Sequence, residues 1–246
     1  MERKKIHRFK SRVLDNKNLN HSVKHLTISI PQDFDFYSGQ FVSLIMDKEG
    51  ISIRRPYSIA SKPGLPYLEL CIKILSNGLI TPIIGELKKD DEVEVLGPMG
   101  EFTIRDKTKN IVLISTGTGI GPFRSIIYYL LENNFANNLI LLTGYRFEED
   151  ALYEQELREL ENKYKKFSYS KILSKTNSNE DAEKLKNLKN STNSDGYVQN
   201  LVKKNIDSSG DTHYYICGLK EMVNSVKELL LQNEIPKENI FFERYD

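Results

Sequence analysis

The sequence predicts an antiparallel β-barrel over residues 1–106 followed by a parallel α/β sheet over residues 107–246. Three observations predict it. The first hundred residues read as short strands, the rhythm changes after Arg105, and a glycine-rich turn there joins an apolar run to an amphipathic helix. A chain of 246 residues is long enough for two such domains, each with its own core.

In the first half the expected strands are Ile6–Leu14, Val23–Ile30, Gln40–Met46, Ile53–Ala60, Tyr67–Ile74 and Glu92–Leu96. They are rich in β-branched and aromatic residues and are separated by turn clusters such as Pro31–Asp33, Lys62–Pro66 and Lys89–Asp91. Within Val23–Ile30, His25, Thr27 and Ser29 alternate with Leu26, Ile28 and Ile30, which suits a strand with one buried face. Leu79–Leu87 is the exception: Leu79, Ile80, Ile83, Ile84 and Leu87 repeat at helical spacing. Many short strands and one helix argue for a barrel.

Ile111–Ile114 opens the second half as a continuous apolar run, the mark of a strand buried on both faces. A helix near Pro122–Glu132, a strand at Leu139–Leu142, a helix at Ala151–Tyr164 and a strand at Phe167–Leu173 follow. After the polar excursion Ser174–Asn193 come a strand at Tyr214–Cys217, a helix at Lys220–Gln232 and a closing strand at Asn239–Glu243. Alternating strand and helix mean a parallel sheet covered on both faces, and Asp106–Lys109 is the natural boundary between the halves.

Composition narrows the class of function. A net charge of +1 gives no bulk case for nucleic acid or an acidic membrane surface. No apolar run approaches the ~20 residues of a membrane span, and the N-terminal charges never give way to a signal-peptide core. The two cysteines, Cys71 and Cys217, are too few and too far apart for a disulfide framework, a structural zinc or an iron–sulfur cluster. No resident metal and a reducing cytoplasm are expected. Arg3, Lys4, Lys5, Arg8, Lys10 and Arg12 make the N-terminus locally basic, either as a solvated strand or as a patch for an acidic partner.

Four short stretches could carry chemistry. Arg55-Pro56-Tyr57-Ser58 offers a planar cation for a phosphate, an aromatic face and a hydroxyl; the same stretch could be a strand with a solvated Arg and a core Tyr. Gly97-Pro98-Met99-Gly100-Glu101-Phe102 reads as a turn between strands. Ser115-Thr116-Gly117-Thr118-Gly119-Ile120-Gly121-Pro122-Phe123 stands between a buried strand and a helix. Glycine there permits close approach of a pyrophosphate to the free N–H groups of the helix start. Its spacing is not the common G-x-G-x-x-G fingerprint. Cys217-Gly218-Leu219-Lys220-Glu221-Met222 ends a later strand, at the edge where open parallel sheets collect ligands; Cys217 could equally be a small buried thiol.

These four stretches, in this order, resemble the ferredoxin–NADP reductase family over nearly the whole chain. The resemblance implies a six-stranded Greek-key β-barrel that binds FAD, over residues 1–106, and a Rossmann-like NADP(H) domain over 107–246. It implies Arg55 at the FAD pyrophosphate, Tyr57 on the flavin ring and Ser58 beside flavin N5, with Pro56 also among the FAD-binding residues. Cys71, Ile72 and Lys73 match the next flavin-contacting strand, although Cys71 could be purely structural. Gly78, Leu79, Ile80 and Thr81 match the segment that meets the FAD phosphates, with Thr118 also facing the FAD.

For the nucleotide the resemblance implies Gly117, Thr118, Gly119, Gly121 and Pro122 in the receiving loop, then Tyr145 and Arg146. Ser174 and Lys175 stand where the family carries a Ser-Arg pair for the NADP 2′-phosphate. Tyr197 corresponds to an adenine-stacking tyrosine, with Asp195 close by where a cation would help. Cys217, Gly218 and Met222 complete the set. Tyr245 would cover the flavin face and move aside for nicotinamide, and Glu243, near Cys217 and Ser58, would relay protons or set the flavin potential. Asp246 departs from the family pattern by following the aromatic, so a frayed tail stays open. Ser58, Cys217, Glu243 and Tyr245 are thus the implied catalytic set. The implied activity is hydride transfer between NADP(H) and FAD, coupled to one-electron exchange with a separate ferredoxin or flavodoxin. The chain is expected to act as a monomer. Alternatives are the NADH-using reductase component of an oxygenase and a non-catalytic flavin-binding subunit of a larger complex.

Overall fold

The protein is described here by a computed structural model covering residues 3–48, 50–175 and 196–245. The chain forms two compact units, Met1–Ile104 with Gly121–Asn133, and Arg105–Ile120 with Asn134–Asp246.

The first unit holds β1 (His7–Asn20), β2 (Val23–Ser29), β3 (Phe41–Lys48), β4 (Ile51–Ser58), β5 (Tyr67–Lys73), the short helix α1 (Thr81–Glu86) and β6 (Glu92–Met99). The six strands run in the order β4-β3-β6-β1-β2-β5, with every paired neighbour antiparallel. A bridge between Ile59 and Leu70 joins the two ends of that order. The alternation read in β2 is realised: Leu26 and Ile28 are fully buried with Val13, Val42, Leu44, Leu68 and Leu70 in one core. Each such side chain contributes about 1.5–3 kcal/mol by leaving water.

Two local expectations change. Gly97 and Pro98 belong to β6 rather than to a turn, which begins only at Gly100. A Cβ on Gly97 would stand 2.7 Å from a Val42 methyl, so glycine is what lets β6 pass close to β3. The basic N-terminus is charge-balanced. Lys4 meets Asp35, and Lys5 meets Asp33 at 3.1 Å; along β1, Arg8, Lys10 and Arg12 meet Glu94, Glu92 and Asp90. Lys10 and Arg12 stand opposite Glu94 and Glu92 of β6 across the ladder, and Arg8 reaches Glu94 from the position opposite Leu96.

The second unit is a parallel sheet of β7 (Asn110–Thr116), β8 (Leu139–Tyr145), β9 (Phe167–Leu173), β10 (Thr212–Leu219) and β11 (Ile240–Tyr245), in the order β11-β10-β7-β8-β9. Its helices are α3 (Glu154–Lys163), α4 (Val198–Lys204) and α5 (Lys220–Gln232). On one face Val112, Ile114, Leu142, Ile172, Tyr214 and Ile216 pack against Val198, Leu201 and Val202 of α4 and Val223, Val226 and Leu230 of α5. The sequence reading had no α4. Among the described residues no helix is long and apolar enough to cross a membrane. Most of the excursion expected over 174–193 lies outside the described residues.

Helix α2 (Ile120–Glu132) leaves the glycine-rich turn, yet from Gly121 onward it packs with the first unit. Arg124 fastens it, donating to the Ala60 carbonyl at 2.9 Å and to Glu69 Oε2 at 2.5 Å, while Ser38 Oγ donates to the Ser125 carbonyl. His25 Nε2 lies 3.4 Å from the other Glu69 oxygen. Burial pushes the Glu69 carboxyl up, but His25 and Arg124 outweigh it and bring it down to about 2. Because the folded value is depressed, this contribution is complete above the ordinary 4.5 and is lost as pH falls toward about 2. Allowing for solvent screening it amounts to about 2 kcal/mol. Thermal melts across pH 7 to 2 should therefore show Glu69→Gln with a lower Tm at neutral pH and a shallower acid decline than the parent; parallel curves would exclude the ion pair as the source.

Candidate functional site

In the first unit, β4 exposes Arg54, Arg55 and Pro56 in succession, while Tyr57 packs half-buried against the barrel core and Ser58 is buried. Burial pushes the Tyr57 phenol up to about 12, with Arg55 opposing, so it stays neutral. Arg55 Nη1 donates to the Arg54 carbonyl at 2.9 Å, and Arg54 Nε to Ser43 Oγ at 2.9 Å. In β5, period-two alternation decides what each residue can offer. Ile72 is fully buried in the barrel core, leaving only its backbone for a ligand; Cys71 points the other way at 8% exposure, and Lys73 is exposed, donating to Ser22 Oγ.

Before α1, Leu79 is half-exposed and Ile80 is buried. The Thr81 hydroxyl accepts from the Leu75 N–H at 3.1 Å and donates to the Leu75 carbonyl at 3.0 Å, closing the loop on itself. With its one donor engaged, Thr81 offers a phosphate only its backbone unless that bond opens. Gly78 belongs to the same closure, since a Cβ there would lie 2.3 Å from Thr81 Oγ1. The exposed Arg55, the half-buried ring of Tyr57 and the glycine at 78 fit a flat, phosphate-bearing cofactor.

In the second unit the site residues gather where β7, β8, β9 and β10 end. Gly117–Gly119 forms a 3-10 turn running straight into α2. Gly117 has φ +52° and nothing within 4 Å of a Cβ position, an open backbone that a pyrophosphate can approach. Gly119 is needed for another reason: a Cβ there would lie 2.3 Å from the Cys217 carbonyl. Gly218, at φ +145°, is equally confined, with Thr116 Oγ1 at 2.6 Å and the Met222 methyl at 2.9 Å. Gly121 and Pro122 are buried within α2.

Arg146 and Ser174–Lys175 are exposed at neighbouring strand ends, and the Lys175 N–H donates to the Arg146 carbonyl at 2.9 Å. Two cations separated along the chain thus become backbone neighbours. Tyr197, 72% exposed, precedes α4 beside them, as the Gly196 N–H donates to the Leu173 carbonyl. Tyr145 is buried and presents no open ring. Asp195 and Asp246 lie outside the described residues.

Tyr245 is no frayed end. It pairs with Leu219 in β11, as Glu243 pairs with Cys217. Cys217 is fully buried; burial pushes its thiol well up and the Glu243 charge adds to this, against a hydrogen bond with Tyr245, so it keeps its proton. The sequence reading gave Ser115 and Thr116 no role, yet both hydroxyl oxygens are buried at this edge without a hydrogen-bond partner. Hydroxyls at the end of a buried strand, directly before the glycine turn, were the available signal. The open backbone at Gly117 fits a dinucleotide's phosphates.

The glycines separate by substitution. Gly117→Ala should lower Tm only slightly, at about 1 kcal/mol of left-handed strain. Gly119→Ala must displace backbone and should cost more than 3 kcal/mol; equal melting temperatures would contradict the packing.

Known proteins agree with both units. Residues 10–104 match the oxidoreductase FAD-binding domain family and residues 113–228 the oxidoreductase NAD-binding domain family. The chain is 31% identical over 250 residues to ferredoxin–NADP reductase B of Sorangium cellulosum, covering 97% of this chain and 98% of that one. It is 30% identical to the phenol 2-monooxygenase reductase component DmpP of Pseudomonas sp. (strain CF600), covering 93% of this chain but only 63% of the relative. In three dimensions it is similar to a ferredoxin NADP+ reductase from Neisseria gonorrhoeae with bound FAD and NADP, at TM-score 0.82 and 21% identity, over 96% of this chain and 98% of that one. With FAD- and NAD-binding families matched in order and a relative aligned end to end, the chain is an FAD-dependent NAD(P)H oxidoreductase and belongs to the ferredoxin–NADP reductase family.

Proposed function

We propose that the protein is a ferredoxin– or flavodoxin–NADP(+) reductase, in which residues 1–106 hold FAD and residues 107–246 receive NADP(H). What carries the reading is the edge of the parallel sheet, where Tyr245 and Glu243 are built into β11 beside Cys217 and the Gly117–Gly119 turn. The bound cofactors supply hydride exchange and the coupling of two-electron to one-electron chemistry. Arg55 binds the FAD pyrophosphate, Tyr57 packs on the ring system and Ser58 lies beside the reacting nitrogen. Gly117 and Thr118 hold the nucleotide pyrophosphate by their backbone, and Tyr197 stacks on adenine. Cys217, kept protonated by burial, bounds the nicotinamide position, and Tyr245 withdraws to admit the ring. Glu243 holds the proton that accompanies the transfer.

The backbone-linked pair Arg146 and Lys175 favours NADP over NAD, since two cations meet a 2′-phosphate dianion better than one. A separate acidic carrier fits Arg54 and Lys73, whose hydrogen bonds run to neutral partners, better than the charge-balanced face of β1. Likeness to the oxygenase reductase component supports a second reading, in which the carrier is an oxygenase partner and the donor is NADH. The protein is read as a cytoplasmic monomer.

Purified protein should be yellow and bleach anaerobically with NADPH; a flavin untouched by either nucleotide would sink the enzyme reading. Lys175→Ala and Arg146→Ala should each lower kcat/KM for NADPH roughly tenfold, or ~1.4 kcal/mol, and leave NADH within about twofold. Equal losses with both nucleotides would remove the 2′-phosphate assignment.

A further inference from the structure

One level of the parallel sheet is polar from edge to edge. Strand pairing sets Glu243 beside Cys217, Cys217 beside Ser115, Ser115 beside Thr143 and Thr143 beside Lys171. In-register neighbours of a parallel sheet point to one face. Two residues earlier on that face the level is Phe241, Tyr215, Leu113, Leu141 and Tyr169, so the polar row is a local departure.

Hydrogen bonds along the row have a direction. Thr143 Oγ1 donates to Tyr169 Oη at 3.4 Å, and Tyr169 Oη donates to Glu154 Oε2 at 3.1 Å. That carboxylate is held by the buried Lys171 ammonium at 2.9 Å. Each hydroxyl gives its proton away from Cys217 and keeps an acceptor lone pair toward it. Ser115 is the break: it is fully buried and its Oγ has no hydrogen-bond partner. Leaving such a group unpaired costs about 1–3 kcal/mol, which a second arrangement that pairs it would recover.

Cys217 has the complementary need. The Tyr245 hydroxyl donates to its sulfur, and on the function proposed above Tyr245 withdraws when nicotinamide enters, so the fully buried thiol loses that bond and can regain one only by donating its S–H. We propose that Ser115 is the alternate partner of the Cys217 thiol, accepting its S–H when Tyr245 leaves and donating its own O–H to Thr143. Paired strands stand about 4.8 Å apart, and the serine hydroxyl turns on a single bond, so one rotation closes the row. The chain of donors then runs Cys217, Ser115, Thr143, Tyr169, and ends on the Glu154 carboxylate. No proton is transferred and no bond is broken. Ser115 acts through Cys217 as a positioning residue, holding the thiol still while the aromatic that covered it is away.

The test reads the S–H stretching band by infrared spectroscopy on the full chain as purified, with Cys217→Ser separating the Cys217 band from that of Cys71. Tyr245→Phe removes the hydroxyl partner while keeping the ring. In that background the Cys217 band should lie at a hydrogen-bonded frequency, and the Ser115→Ala/Tyr245→Phe double variant should move it to the free-thiol frequency. Thr143→Val in the Tyr245→Phe background, which leaves Ser115 in place but removes the acceptor of its proton, should shift the band part of the way. A band that is free in Tyr245→Phe alone, or unmoved by loss of Ser115, would overturn the proposal. This arm needs no nucleotide, so it stands apart from the reductase reading. The kinetic arm depends on that reading: Ser115→Ala should raise KM for NADPH roughly fivefold with kcat unchanged, because the bond exists only once nicotinamide is bound. An unchanged KM beside a Ser115-dependent band would keep the thiol contact and reject its link to Tyr245 withdrawal.

Discussion

The second unit depends on one close approach of backbone to backbone. The turn at Gly117–Gly119 lies so tightly over Cys217 and Gly218 that a methyl group at residue 119 would sit 2.3 Å from a carbonyl oxygen. On the other side of the same contact, Gly218 leaves no space beside Thr116. Two elements far apart in the chain are thereby held at van der Waals distance with no side chain between them. The other arrangements at this edge follow: the aim of the Gly117 backbone, the burial of the Cys217 thiol and the hydroxyls of Ser115 and Thr116 facing in without partners.

Charge is handled in two ways. Along β1, exposed cations pair with the carboxylates of Asp90, Glu92 and Glu94, and each such pair is worth little. Around Glu69 and around Lys171 the charges are buried and multiply satisfied, by His25 and Arg124 in one case and by Glu148 and Glu154 in the other. Breaking a partner there strands a desolvated charge, so it costs more than breaking a surface pair. The cations that remain conspicuous, Arg55, Arg146 and Lys175, are exposed at positions where a phosphate-bearing ligand is expected.

Much of the fold was legible in local pattern. Phe167–Leu173 and Lys220–Gln232 fall at their expected limits, and the barrel strands lie within a few residues of theirs, apart from β1, which runs on through the polar stretch to Asn20. Helix α4 was missed because it is seven residues long and contains two valines, weak helix formers. It is held by tertiary packing of Val198, Leu201 and Val202, an i, i+3, i+4 triplet that was the only local sign of it. Gly97-Pro98 read as a turn because those residues usually make one, whereas here glycine serves a tight crossing of strands.

By itself the sequence determined the kind of elements, their order and the chemistry of the short motifs, because periodicity and residue type act over a few neighbours. It placed the glycine-rich turn between the end of a buried strand and the start of a helix, since an apolar run followed by glycines and a helix has few other readings. Only the tertiary structure decided which distant residues meet. Strand register made Arg146 and Lys175 neighbours and set Ser115 between Cys217 and Thr143. Register belongs to pairs of strands, and a shift of one residue would turn each of those side chains to the opposite face.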